Sequence, residues 1–241
     1  TRPHTMAPAD GPSKRTQAPM VTGGSVVALK YADGILIATD TLASYGSLAR
    51  FEGVTRMSVV GAANDTLLAA GGDYSDYQQI LKIIDARATT EYTADDGSTM
   101  TASMLHHWLT RMMYQRRSKM DPLWNSIVIA SNRNGKPYLG TTDLYGTMYE
   151  DDFIATGLGA HLALPLLRKG WRADLTEAEA TTLLTDSMRV LFYRDTRAGS
   201  HISIGKATAT ACEVTPSVKL ETYWEYKEFV RGGGYLGDGS W

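Results

Sequence analysis

Apolar periodicity switches repeatedly along this chain: strand-like segments give way to two helical ones, return as strands, give way to two more helices and end as strands. Helices that arrive in pairs, rather than singly between strands, disfavour a doubly wound parallel sheet. They favour two stacked sheets with a helix layer on each outer face, an α+β sandwich of four layers. The 241 residues, 43% of them hydrophobic, suffice for one large core, so a single domain with tails is expected.

Residues 25–31 and 35–39 are β-branched and apolar around Ala32, Asp33 and Gly34, which predicts two strands joined by an Asp-Gly turn. The second is apolar almost throughout, as in a strand covered on both faces. Further strand signals lie at 57–60 and 65–70. Asp73 precedes Tyr77, Ile80, Leu81, Ile84 and Ala88, spaced three and four apart, which predicts an amphipathic helix capped by Asp73. Met104, Leu105, Trp108, Leu109, Met112 and Met113 form the stripe of a second helix. Strands return over 125–157, with Asn134-Gly135 as a hairpin turn. A third helix is expected over 159–169 with the stripe Leu162, Ala163, Leu166 and Leu167, bent at Pro165 and stopped by Gly170. Thr176 and Glu179 form a capping box for a fourth, which carries Ala180, Leu183, Leu184, Met188 and Leu191. Strands at 201–206 and 208–214 complete a core spanning 23–220. Residues 1–22, with Pro3, Pro8, Pro12 and Pro19, read as an extended arm, and 221–241 as an aromatic and glycine-rich tail.

Lysine and arginine number 24 against 26 acidic residues, interspersed, so neither nucleic acid nor an anionic membrane is an expected partner. The apolar runs are too short to cross a bilayer. The one cysteine, Cys212, suits a reducing compartment, so cytoplasm and nucleus are the expected locations. It lies in an alternating strand with no base beside it, which reads as a small buried residue rather than a nucleophile. His106 and His107 are neighbours that point to different sides of a helix, one at the core edge and one at the surface, and do not make a zinc pair. No G-x-S-x-G elbow occurs, and no helix follows the glycines of 232–239 to complete a phosphate cradle. No cofactor or metal is expected. Arg116, Arg117 and Lys119 close the second helix, where cations complement its dipole, at a solvated or subunit-facing end.

Residues 23–40, followed by 44–50, resemble the amino-terminal hairpin of proteasome beta subunits, as do Gly71-Gly-Asp-Tyr-Ser-Asp76 and Tyr193-Arg-Asp-Thr-Arg197. The segment Tyr114-Gln-Arg-Arg-Ser-Lys-Met-Asp-Pro-Leu-Trp-Asn125 resembles the beta-7 type of that family, as do the leader at 16–23 and the long aromatic tail. The resemblance spans 16–241. It implies the αββα sandwich of N-terminal-nucleophile (Ntn) hydrolases, and assembly with other alpha and beta subunits into the 28-subunit 20S core particle.

Active members of the family free an amino-terminal threonine whose hydroxyl attacks the peptide and whose amine serves as base. The resemblance lays Gly24 on the nucleophile position, Arg56 on that of a lysine, and Leu158 and Ala198 on those of two serines, while Asp40 and Asp195 match the family's aspartates. A guanidinium cannot relay a proton as an amine can. Thr22 is displaced along the strand, Ser25 points to the opposite face, and Thr1 and Thr16 lie in the arm. The expectation is therefore a non-catalytic structural subunit supporting protein degradation by its sisters, with Asp40 and Arg56 as an ion pair and Asp195 holding a loop beside Arg194 and Arg197. The alternative, an active threonine endopeptidase subunit, is opposed by Gly24. The resemblance also implies that the tail, with Tyr223, Trp224, Tyr226, Phe229, Tyr235 and Trp241, enters the opposite ring near beta-1 and beta-2 type subunits, and Arg116, Arg117 and Trp124 are expected at interfaces.

Overall fold

The computed structural model describes residues 18–225. Strands β1 (Val21–Gly23), β2 (Val26–Tyr31), β3 (Gly34–Asp40), β4 (Ala43–Tyr45), β5 (Leu48–Phe51), β6 (Met57–Val60) and β7 (Thr66–Asp73) come first. Helices α1 (Tyr74–Ala94) and α2 (Ala102–Ser118) follow, then β8 (Asn125–Ser131), β9 (Tyr138–Thr142), β10 (Met148–Glu150) and β11 (Phe153–Ala155). The order closes with α3 (Gly159–Leu162), α4 (Leu164–Gly170), α5 (Glu177–Arg194), β12 (His201–Thr208), β13 (Cys212–Val214) and β14 (Val218–Lys219). One antiparallel sheet runs β10-β9-β8-β7-β1-β4-β5, with β6 also on β7. The other runs β11-β2-β3-β12-β13, with β14 also on β12.

Alternation along the central strands sorts their side chains into three apolar layers. Val26 and Ala28 of β2, Ile35 and Ile37 of β3, Leu67 and Ala69 of β7, and Val128 and Ala130 of β8 meet between the sheets. Val27, Leu29, Leu36 and Ala38 face the other way, onto Leu167 of α4 and Leu184, Met188 and Leu191 of α5. Leu68, Ala70, Ile127 and Ile129 face Ile80 and Ile84 of α1 and Leu105, Leu109 and Met113 of α2. The central strands are apolar on both faces because both faces are covered, and the molecule is the expected four-layer α+β sandwich.

The helix starts follow from their caps. Asp73 accepts the backbone N–H groups of Ser75 and Asp76, Thr101 accepts that of Met104, and Thr176 with Glu179 forms a reciprocal capping box. Asn134 and Gly135 both take positive φ, as the Asn-Gly turn requires.

Five features differ from the sequence expectations. Val21 and Thr22, the last residues of the expected arm, are already strand, held between β4 and β7. The hairpin β4-β5 was not legible, since all of β5 is exposed and shows no buried face. The third helix is two short ones meeting at Ala163, with Pro165 in the first turn of α4, where its missing N–H removes no helical bond. Gly170 is the last residue of α4 rather than a left-handed stop, and a Cβ there would lie 2.7 Å from Leu183 Cδ1, so this glycine lets α4 and α5 approach. Met104, placed in the α2 stripe, is exposed.

Candidate functional site

The chain crosses from one sheet to the other at Gly24 and Ser25, between the end of β1 and the start of β2. β1 is fixed on both sides: Thr22 pairs with Ser44 and Asp73, and Gly23 with Ala43 and Gly72. Gly72 itself needs its positive φ, and a Cβ on it would collide with the Trp124 carbonyl. Directly beneath the crossover lies Arg56, 2% exposed, beside Asp40, 1% exposed.

The guanidinium is fully engaged. Nε donates to the Asp40 carbonyl at 3.1 Å, and Nη1 donates to the carbonyls of Gly24 at 3.0 Å and Ala70 at 3.1 Å. Nη2 donates to the Ser25 carbonyl at 3.3 Å and to Asp40 Oδ1. The ion pair expected between Asp40 and Arg56 is thus present and buried. Asp40 Oδ2 accepts the Gly199 N–H at 2.9 Å, which clips the loop before β12 to the end of β3. Both glycines of the crossover are sterically constrained by this pair. A Cβ on Gly23 would collide with Arg56 Cδ, and one on Gly24 would lie 3.2 Å from Asp40 Oδ1.

Gly24 offers no hydroxyl, and its nitrogen is a peptide nitrogen in a backbone continuous with β1. Ser25 is turned away, its Oγ accepting the Gly159 N–H at 2.8 Å at the start of α3. Thr156 Oγ1 accepts the Val26 N–H at 3.1 Å, so the neighbouring hydroxyls are committed to backbone. Thr1 and Thr16 lie outside the described residues.

Above the pair opens a cleft of about 390 Å³ lined among others by Thr22, Gly24, Gly71, Trp124, Asn125 and Leu158, with Asp195 and Arg197 also on its wall. The structure brings Gly24, Leu158 and Asp195 to this cleft, with Asp40 and Arg56 under its floor. Ala198 instead lines a neighbouring cleft, although its N–H reaches the Asp195 carbonyl at 3.1 Å. Asp195 holds its loop through backbone, accepting the Arg197 N–H at 2.9 Å, rather than through a guanidinium.

Of the expected interface residues, Arg116 pairs with Asp121 at 3.3 Å, and the Arg117 guanidinium carbon lies 5.4 Å from the centre of the Tyr114 ring. Trp124 lines the cleft and also a second one beside Arg116 and Asp121. Tyr223 and Trp224 are exposed, yet the Trp224 ring stands edge-on to Tyr193 at 4.9 Å, and the Tyr223 N–H donates to Tyr193 Oη at 2.7 Å. Tyr226, Phe229, Tyr235 and Trp241 lie outside the described residues.

The histidines separate as their helix spacing requires. His107 is exposed, and His106 is fully buried, deeper than a core edge, with Nδ1 2.7 Å from Tyr138 Oη and its proton affinity lowered by burial. Burial pushes the Cys212 thiol up to about 11, against nucleophilic use. Among the described residues no cluster of three or more His, Cys, Asp or Glu side chains could hold a metal, and no helix is long and apolar enough to cross a membrane.

Comparison with known proteins points the same way as the geometry. Residues 20–207 match the family described as Proteasome subunit. The chain is 43% identical over 225 residues to proteasome subunit beta type-4 of Arabidopsis thaliana, covering 93% of this chain and 91% of the relative. It is 42% identical over 231 residues to a probable proteasome subunit beta type-7 of Schizosaccharomyces pombe, with 93% and 87% covered. Against proteasome subunit beta type-7 of Saccharomyces cerevisiae the identity is 38% over 235 residues, with 92% and 88% covered. With a two-sheet sandwich clothed in paired helices and these relatives matched along nearly its whole length, the chain belongs to the proteasome beta-subunit family.

Proposed function

We propose that this chain is a non-catalytic structural beta subunit of the 20S proteasome core particle, and that Gly24, Asp40, Arg56, Leu158, Asp195 and Ala198 mark a vestigial catalytic site. The single observation that carries the reading is the Arg56 guanidinium, buried under Gly24 with all three nitrogens donating to carbonyls or to Asp40. A threonine mechanism needs a hydroxyl, a free amine and a cation able to tune them. Here the hydroxyl is missing, the nitrogen is a peptide nitrogen, and the cation holds the crossover together. An active threonine endopeptidase is therefore the disfavoured reading.

In this role the chain assembles with other proteasome alpha and beta subunits and contributes to protein degradation by its sisters, in cytoplasm and nucleus. The division into an arm over 1–22, a core over 23–220 and a tail over 221–241 belongs to the same proposal, with the tail clasping the opposite ring near beta-1 and beta-2 type subunits. Support for an ordered tail origin comes from Trp224 packing on Tyr193 and Phe192. The test is an electrophile directed at amino-terminal threonines, applied to the assembled particle and read by intact mass. Sister subunits acquire the adduct and this chain does not; an adduct on Thr16, Thr22 or Ser25 overturns the assignment.

A further inference from the structure

The last described residues are pinned to α5 in steps. The Leu220 N–H donates to the Ser200 carbonyl at 2.8 Å, and Arg189 Nε donates to the Glu221 carbonyl at 2.8 Å. Tyr193 Oη accepts the Tyr223 N–H at 2.7 Å and donates to the Tyr223 carbonyl at 3.3 Å. Arg189 and Tyr193 lie about one helical turn apart, so the chain advances toward the C-terminal end of α5 as it passes from Glu221 to Tyr223. Trp224 then stands edge-on to Phe192 at 5.9 Å and to Tyr193 at 4.9 Å, and the described chain ends one residue later, at Glu225.

Phe192 also lines a cleft of about 490 Å³ between the β4-β5 hairpin and the loop before β12. Leu42, Ala49 and Ala198 give this cleft apolar wall, and Glu52 and His201 give it polar groups. A phenol ring, apolar in its body and polar at its tip, is the kind of group that a mixed wall accepts. Beyond Glu225 the chain continues for 16 residues, and Tyr226 is the first of them. We infer that in the unassembled chain Tyr226 seats in this cleft of its own chain, its ring against Phe192 and Leu42 and its O–H donating to Glu52. Side chains two apart in an extended chain share a face, so the ring that follows Trp224 on that face meets the surface just past Phe192. Tyr223 and Trp224 are already held, so few further residues need ordering to seat it. In the pairing role proposed above, the tail leaves this cleft for the opposite ring; the seat belongs to the free chain and is independent of whether residue 24 reacts.

The experiment places p-benzoylphenylalanine at position 226 of the otherwise unchanged full chain and irradiates it in two states, as the unassembled chain and in the complete particle. Cross-linked peptides are mapped by mass spectrometry. In the unassembled chain the expected cross-link is intramolecular and falls on peptides covering residues 42–53 or 192–201. In the complete particle it is expected to move to a sister subunit.

Ala49→Trp fills the cleft from the exposed strand β5 and is expected to abolish the intramolecular cross-link. A second measurement leaves the core unaltered: backbone amide exchange over 49–53 and 198–201 is expected to be slower in the full chain than in a chain ending at Glu225. Cross-links scattered over other peptides, a yield unchanged by Ala49→Trp, or equal exchange in the two chains overturns the inference. Failure here is separable from failure of the functional reading. A cross-link that stays intramolecular in the complete particle supports the seat and refutes the clasp, whereas half-particles that accumulate on tail deletion, with no intramolecular cross-link in the free chain, refute only the seat.

Discussion

Replacing Arg56 by methionine removes the buried cation and keeps an unbranched apolar stem in the same channel. The carboxylate of Asp40, 1% exposed, is then left with the Gly199 N–H as its remaining named partner. Stranding one member of a buried ion pair costs about 3–5 kcal/mol. The carbonyls of Asp40, Gly24, Ala70 and Ser25 lose their guanidinium donors at the same time, each such bond being worth about 1 kcal/mol net. The two contributions overlap, so the working figure is the top of the first range, about 5 kcal/mol, comparable to the whole stability of a small domain. Arg56→Lys keeps the charge but loses the planar fork, and is expected to cost less. The discriminating variant is Asp40→Asn combined with Arg56→Met, where the amide no longer carries a stranded charge. In urea unfolding followed by tryptophan fluorescence, the double variant is expected to be at least about 2 kcal/mol more stable than the sum of the single losses implies. Additive losses, or an Arg56→Met chain as stable as the parent, would refute the idea that this pair fastens the crossover.

Burial of His106 lowers its proton affinity, so the unfolded chain takes up that proton near pH 6.5 while the folded chain resists it. Stability is therefore full above about pH 6.5 and falls below it, by at most about 1.4 kcal/mol per pH unit, and His106→Gln flattens that slope in urea midpoints measured between pH 7.5 and 5.5. Gly24→Thr in the otherwise unchanged chain is expected to give no adduct with a threonine-directed electrophile by intact mass, since residue 24 remains internal and its Cβ meets Asp40 at 3.2 Å. Thr176→Ala removes the α5 cap and is expected to cost about 1 kcal/mol in the same unfolding assay. Deleting residues 225–241, which spares the packing of Trp224 on Tyr193, is expected to leave the core folded while half-particles accumulate on native gels.

The readable parts of this fold are those where one physical signal runs long enough to repeat. β2, β3, β7 and β8 are apolar on both faces, and α1, α2 and α5 carry both a stripe and a cap, so their type and approximate bounds follow from residues alone. β1, β4 and β5 run to three or four residues, and β5 has no buried face; pairing in register, not periodicity, makes them strands. At the site, Arg56 and Asp40 were legible as a pair through family resemblance. The depth of the guanidinium under the crossover was not, because four of its acceptors are main-chain carbonyls that any residue would supply. The places of Trp124 and Asn125 beside the cleft were hidden as well: the Trp124 N–H donates to the Asp76 carboxylate and the Asn125 amide to the carbonyls of Gly71 and Asp73, partners 48 to 54 residues away.

On the proposed non-catalytic reading, the absence of a nucleophile at residue 24 does not loosen the crossover, and Arg56 explains why. The residue precedes β6, in the same sheet as β7, which supplies the Ala70 carbonyl, whereas Asp40 ends β3 in the other sheet, and Gly24 and Ser25 join the two. One guanidinium therefore ties both sheets to the chain that passes between them. An arginine suits this better than a lysine, because five donors in a planar fork serve several carbonyls and a carboxylate at once, whereas an ammonium offers three on a flexible stem. The same saturation that makes the group a good fastener removes it from chemistry, since no donor is left over to tune a reacting atom at residue 24. Stability of the crossover and reactivity of the site would draw on the same few N–H groups, and in this chain all of them are taken up by Gly24 and Ser25 of the crossover and by Asp40 and Ala70 of the two sheets it joins.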